Sequence, residues 1–194
     1  MLLLFLRCGI SLLLLTISLA LFAQDKIETE RGVPAAEVPS AARNWLRETY
    51  ASTGRLHWYL EKSSDGTSYE AKFRHRGAWH SVEFGEEGIL QDIEIRVSLN
   101  DLPKTVRRGM TVYFDTTYTK YRIRKIQQQL SGPSDVVRAV IQNEPAEGVT
   151  YRYEVEFYGK NDRSKALWEG LFDDQGQLQQ RRRIVLRPTD NLMY

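Results

Sequence analysis

Tyr69-Glu70-Ala71-Lys72-Phe73 and, in the second half of the chain, Tyr153-Glu154-Val155-Glu156-Phe157 are two versions of one phrase. Each is followed by a second shared phrase, Phe84-Gly85-Glu86-Glu87-Gly88 in one case and Phe172-Asp173-Asp174-Gln175-Gly176 in the other. Each half also opens on a branched apolar residue and a proline, Val38-Pro39 and Leu102-Pro103. Recurrence of this kind fixes architecture first, because each copy of a supersecondary unit needs its neighbour to complete a buried core.

Around the first phrase, Tyr69 to His75 and Ala78 to Phe84 alternate apolar and polar residues on either side of Arg76-Gly77, the pattern of a β-hairpin. Arg55 to Lys62 supplies the preceding strand, ending at Ser63-Ser64-Asp65-Gly66, and Ile89 to Val97 the following one. Before them, Ser40 stands where a helix cap belongs. Ala42, Trp45, Leu46 and Thr49 recur behind it at helical spacing.

The second half repeats the plan. Lys104 to about Tyr118 reads as a helix, although Gly109 and the β-branched Thr111, Val112, Thr116 and Thr117 weaken its later turns. Tyr121 to Leu130, Thr150 to Tyr158, Ala166 to Phe172 and Gln177 to Leu186 read as strands. Gly132-Pro133-Ser134 introduces a short extra helix over Asp135 to Asn143. The expected fold is therefore α+β: two tandem repeats, each a helix plus a four-stranded antiparallel sheet, with the helices on one face, a short extra helix inserted in the second repeat, and about eight strands in all. The expected divisions are a signal peptide over 1–23, a flexible leader over 24–37, repeats over 38–98 and 99–187, and a tail over 188–194.

Met1 to Ala23 carries one early cation, Arg7, then the apolar run Ile10 to Phe22 and the small residue Ala23 before polar chain begins. That is the pattern of a secretory signal peptide cut after Ala23, and the run is shorter than the roughly 20 apolar residues a membrane span needs. A periplasmic or secreted protein with no later membrane span is expected. The single cysteine, Cys8, falls inside this segment, so a cleaved chain has no thiol for catalysis, metal thiolates or disulfides. The chain's formal charge of +2 excludes a protein shaped by nucleic acid, and the run Arg181-Arg182-Arg183 reads as a solvated strand face.

The Val-Pro or Leu-Pro helix start, the Tyr-Glu-x-x-Phe strand and the Phe-x-x-x-Gly-x-Leu turn (Phe84 to Leu90, Phe172 to Leu178) resemble the PepSY-like, beta-lactamase-inhibitor-like family over Glu37 to Arg187. The resemblance implies an exported protein of tandem helix-plus-sheet repeats with no established enzymatic activity, and beta-lactamase inhibitor proteins of similar architecture present a sheet face to the enzyme they block. The chain departs from inhibitors of that architecture in having no cysteine after Cys8 and in its inserted segment Ser131 to Val149, and no inhibitory residue maps onto it.

Alternation places Tyr69, Ala71 and Phe73 on one face with His80, Val82 and Phe84, and Glu70, Lys72 and Arg74 on the other with Trp79, Ser81 and Glu83. His57 and Tyr59 extend the second face. His57, Tyr59, Arg74 and Trp79 are the candidate partner-binding residues, since exposed rings beside an arginine suit a contact surface. The plainer alternative is that Trp79 and Arg74 stack as a cross-strand pair. His57, His75 and His80 raise a metal question, but the alternation separates His57 from the other two, and His80 reads as a core residue in the place of Trp168.

Glu86, Glu87, Asp173 and Asp174 all fall in strand-joining turns, and no Gly-x-Ser-x-Gly, phosphate loop or His-Glu-x-x-His occurs. Neither an enzyme nor a cofactor or metal site is expected. A protein or peptide partner leads; a module for a small ligand or polysaccharide, and a cryptic hydrolase, are the alternatives.

Overall fold

Among the described residues three prolines set the three helices. Pro39, Pro103 and Pro133 each stand immediately before a helix: α1 (Ser40–Thr49), α2 (Lys104–Thr117) and α3 (Ser134–Ile141). Each proline is extended, with φ between −50° and −55°, and no side chain caps the turn that follows. The expected cap from Ser40 is thus corrected: Ser40, like Ser134, is the first residue of its helix, and the restricted φ of the proline sets the chain's entry instead.

This computed structural model describes residues 25–26, 29–63, 66–161 and 165–184. The expected signal peptide and carboxy-terminal tail lie outside these residues, as do Ser64 and Asp65 of the first expected turn. The strands are β1 (Asp25–Lys26), β2 (Thr29–Val33), β3 (His57–Ser63), β4 (Gly66–His75), β5 (Ala78–Gly85), β6 (Leu90–Arg96), β7 (Lys120–Ser131), β8 (Thr150–Lys160), β9 (Lys165–Phe172) and β10 (Leu178–Ile184). They form one sheet in the order β1-β10-β9-β8-β7-β6-β5-β4-β3-β2, antiparallel throughout except where β1 joins β10. The protein is α+β, a mostly antiparallel sheet with three helices.

Of the flexible leader expected over 24–37, the described residues 29–37 are structured instead. Thr29 to Val33 pairs with Lys62 to Trp58 of β3, and Ala35–Glu37 forms a 3-10 turn. Its polar side chains gave no apolar period to read, yet an edge strand requires only backbone groups facing an open ladder. Together with β1, this segment raises the eight expected strands to ten among the described residues.

Between β4 and β5, Arg76 (φ 48) and Gly77 (φ 86) are both left-handed, the two-residue turn whose twist suits a hairpin. All three helices pack on one face of the sheet. α1 sets Ala42, Trp45 and Leu46 against Phe73, Val82, Phe84 and Ile93, joined by Val137 of α3. α2 sets Val106, Met110 and Phe114 against Ile126, Val155, Phe157 and Phe172.

The strand-joining turns lock onto the helices. At Gly176 (φ 75) an added Cβ would lie 2.2 Å from the carbonyl oxygen of Val106, and at Gly109 it would lie 2.3 Å from that of Gln175. Turn and helix therefore meet backbone to backbone. Gly88 makes the corresponding approach to α1, where a Cβ would lie 2.8 Å from the amide nitrogen of Ala42.

Candidate functional site

The face that no helix covers is built from alternate residues of neighbouring strands. Register carries one row from His57 through Lys72 and Ser81 to Glu94 and Gln129, and another from Tyr59 through Glu70 and Glu83 to Asp92. Farther along the sheet, Gln127 stands beside Glu154, Lys125 beside Glu156, and Arg122 beside Tyr158.

This face is concave. Glu70 (8% exposed), Ser81 (9%) and Gln127 (8%) are buried on it although the helices pack on the other side. Chain connectivity gives the same answer: Lys26 of β1 and Thr29 of β2 are three residues apart, so their Cα atoms lie within about 11 Å, yet their strands form opposite ends of the sheet. A ten-stranded sheet meets that condition only by rolling. Register shifts between Glu83 and Phe84, Ile123 and Lys125, and Leu178 and Gln180 are the irregularities that bend it.

The four candidate residues share this face. Arg74 is the cross-strand partner of Trp79, its guanidinium lies 5.6 Å from the indole centroid, and it also donates to the Gly77 carbonyl. The two form a stack, and Trp79 is still 49% exposed. The Lys72 ammonium lies 4.8 Å from the Tyr59 ring centroid, while His57 is exposed and lines a shallow groove of ≈ 430 Å³ with Val33, Pro34 and Tyr59.

Beside them lies a polar network reached only in part by reading alternation. Lys72 Nζ sits 2.7 Å from Glu70, 3.0 Å from Glu30 and 4.0 Å from Glu61. Those three carboxylates bring ligand atoms within 4.8 Å of one another, a spacing that would suit a metal ion, but the lysine's own ammonium stands among them. Burial works against its charge, and Glu70 and Glu30 outweigh burial, so its pKa lies above the usual lysine value. Glu30 comes from β2, the stretch read as leader, which is why the sequence hid this clamp.

Across the centre, Gln127 donates to Glu94 at 2.5 Å and Gln129 donates to Asp92 at 3.1 Å. Lys125 lies 2.5 Å from Glu156 and 4.0 Å from Glu154. Burial, and then the charges of Glu154 and Asp92, raise the Glu94 carboxyl well above its usual value.

The other histidines belong to the opposite side. His80 stacks on Phe73, its Nδ1 lies 3.2 Å from the Tyr50 hydroxyl, and its ring centroid is 5.5 Å from that of His75. Burial, then the charges of His75 and Arg76, push it down to about 4. Arg181 also belongs here: it donates to the Tyr118 hydroxyl at 2.9 Å and lies 4.3 Å from the Trp168 ring centroid. The expectation that Arg181 to Arg183 line a solvated face is corrected for Arg181, whose stem and guanidinium shield the edge of the core.

A pH dependence follows from these two groups. A histidine depressed on folding supports the fold fully above its usual 6.5, and that support is lost as pH falls toward 4, by up to about 3 kcal/mol. A carboxyl raised on folding acts in the other sense, removing stability as pH rises above 4.5. The two slopes oppose between 4.5 and 6.5. Glu94→Gln is expected to raise stability at pH 7 and make stability climb more steeply from pH 4.5 to 6.5, while His80→Phe flattens that climb; urea titrations at several pH values read both.

No protein-family model and no curated protein matches the sequence. Solved structures do match. A DUF2874 family protein of Bacteroides uniformis has a TM-score of 0.54 at 14% identity, over 75% of this chain and 89% of its own. A DUF2874 family protein of Bacteroides ovatus has a TM-score of 0.51 at 17% identity, over 80% and 98%. A BLIP-like protein of Bacteroides fragilis has a TM-score of 0.51 at 16% identity, over 84% and 94%. At these identities the likeness is one of fold: the chain has a BLIP-like architecture. Among the described residues no helix is long and apolar enough to cross a membrane.

Proposed function

We propose that this protein is an exported, non-catalytic binding module of PepSY-like type, built from two tandem helix-plus-sheet repeats, that holds a protein or peptide partner in its concave sheet face and so modulates an envelope or secreted enzyme. The observation that carries this reading is the face itself. It is curved, lined with side chains pre-set by Lys72 and Lys125, and turned away from all three helices. Preorganised polar groups around an exposed ring are what a recognition surface requires.

The repeat reading is supported by the two glycine turns, each seated on the helix that precedes its own strands. Export is supported by the leader pattern of Met1 to Ala23. The polysaccharide alternative is weakened because the rings that would serve as stacking platforms, Tyr59 and Trp79, already carry the cations Lys72 and Arg74.

Trp79→Ala tests the proposal. As an exposed residue stacked on Arg74 it is expected to change folding stability by no more than about 0.5 kcal/mol, while lowering partner capture about tenfold, as loss of an interface anchor does. Quantitative mass spectrometry on proteins retained from a periplasmic extract by the immobilised wild type and variant reads the second effect. Equal retention by both would remove Trp79 from the interface; a large loss of stability would show the ring to be structural.

A further inference from the structure

One end of the concave face has a different character from its acidic middle. Lys120, Lys160 and Lys165 stand side by side across β7, β8 and β9, and Arg122 is the register partner of Tyr158 one step along. Strand alternation sends Lys120, Arg122, Tyr158, Lys160 and Lys165 to the same side, and the Ile123 to Lys125 irregularity turns Arg124 toward Tyr158 as well.

Three of these cations surround one ring. Arg122, Arg124 and Lys165 lie 5.4, 5.7 and 5.9 Å from the Tyr158 ring centroid. All five basic side chains are exposed, and among the described residues none of them forms an ion pair with a carboxylate. The contrast within the face is sharp, because Lys72 and Lys125 are each held by at least two acids. With these five cations gathered in one place, unpaired among the described residues, and a formal charge of +2 for the whole chain, the remainder carries −3. Gathering like charges costs energy, and an anionic partner would offset that cost.

We propose that this end of the face, formed by Lys120, Arg122, Arg124, Lys160 and Lys165 around Tyr158, binds an acidic segment of the partner protein. The inference rests on the reading of the concave face as a recognition surface, and it names the chemistry of what is recognised. Curvature selects the occupant: a flat bilayer cannot enter a hollow, whereas a strand or loop carrying successive Asp or Glu residues can lie along it. The guanidinium groups supply paired donors for carboxylates, and Tyr158 supplies a rigid apolar floor between them.

The test uses the chain lacking residues 1–23, isotope-labelled, with a hexaglutamate peptide as probe. Saturable shifts of the amides of Arg122, Tyr158 and Lys165 are expected, with a dissociation constant that rises steeply with salt. The double variant Arg122→Gln, Lys165→Gln is expected to weaken binding about tenfold or more with its melting temperature unchanged. The control Lys104→Gln, Arg108→Gln removes the same charge from α2 on the other side of the sheet and is expected to leave binding as it was. Equal weakening by the control would reduce the effect to net charge and overturn the proposal. So would inorganic phosphate saturating the same amides at lower concentration than the peptide, or sedimentation with phosphatidylglycerol vesicles without any shift by the peptide. Partner capture that is lost in Trp79→Ala but untouched by the Arg122, Lys165 double variant would preserve the recognition reading and remove the acidic segment alone.

Discussion

Gly176→Ala is expected to cost about 3 kcal/mol of folding stability or more, the sum of backbone strain and forced separation of two elements. Gly176 has φ 75, and its added Cβ would meet the Val106 carbonyl oxygen at 2.2 Å and the Met110 amide nitrogen at 2.9 Å. Both obstacles are backbone, so neither can swing aside; the turn must lift off α2 or the helix must shift. Gly109→Ala probes the same contact from the other side. In an exposed helix that change would add about 1 kcal/mol of stability, but here the Cβ would lie 2.3 Å from the Gln175 carbonyl oxygen, so the sign is expected to reverse. Gly77→Ala is the reference: φ is 86 and nothing lies within 4 Å of the new Cβ, leaving only backbone strain of about 1 kcal/mol. Urea midpoints rank the three. A Gly109→Ala protein as stable as the wild type would mean that turn and helix do not touch.

Phe114→Ala is expected to cost about 4 kcal/mol, the upper part of the range for removing a buried ring. Phe114 is fully buried, stacks on Tyr121 with centroids 4.8 Å apart, and meets Phe157 edge-on at 4.7 Å and Phe172 at 5.8 Å. It is thus the one α2 side chain shown to join the helix to β7, β8 and β9 by ring contacts, and its loss leaves a cavity that three strands and a helix must collapse to fill. Phe114→Leu, which keeps most of the volume, is expected to recover more than half of the loss. A cost below about 1 kcal/mol for the alanine variant would place the packing centre of this half elsewhere.

These two residues also show how far the sequence could be read. The helix that carries Phe114 is legible in the chain, and so is the turn ending at Gly176. Gly109, however, reads as a flaw in the helix until the docked turn is seen, because what it accommodates lies more than sixty residues away. The alternation around Tyr69 to Phe84 gave the correct two faces of β4 and β5, including the separation of His57 from His80. The partnership of Arg74 with Trp79 follows from the same register.

What stayed hidden was whatever needed long-range geometry. β2 has no apolar period, because an edge strand of this kind is held by its ladder with β3 and by the Glu30 to Lys72 contact. The cations around Tyr158 come from two stretches some forty residues apart, each unremarkable alone, and only the register of β7 with β8 and β9 gathers them. The conspicuous run Arg181 to Arg183 drew attention instead, and its first member is spent on Trp168 and Tyr118. Curvature, which turns a polar sheet face into a hollow, comes from register irregularities that no local pattern announces.

The same short stretch of chain supplies the outermost strand at both rims of the sheet, β1 at one and β2 at the other. The rims are poor templates for further pairing: β1 is two residues long, and β2 offers five residues that include Glu30, Arg31 and Gly32. Short, charged borders of this kind discourage edge-to-edge aggregation. For a long sheet held together without disulfides, the first described residues thus act as selvage, finishing both margins of the fabric so that it does not add on to its neighbours.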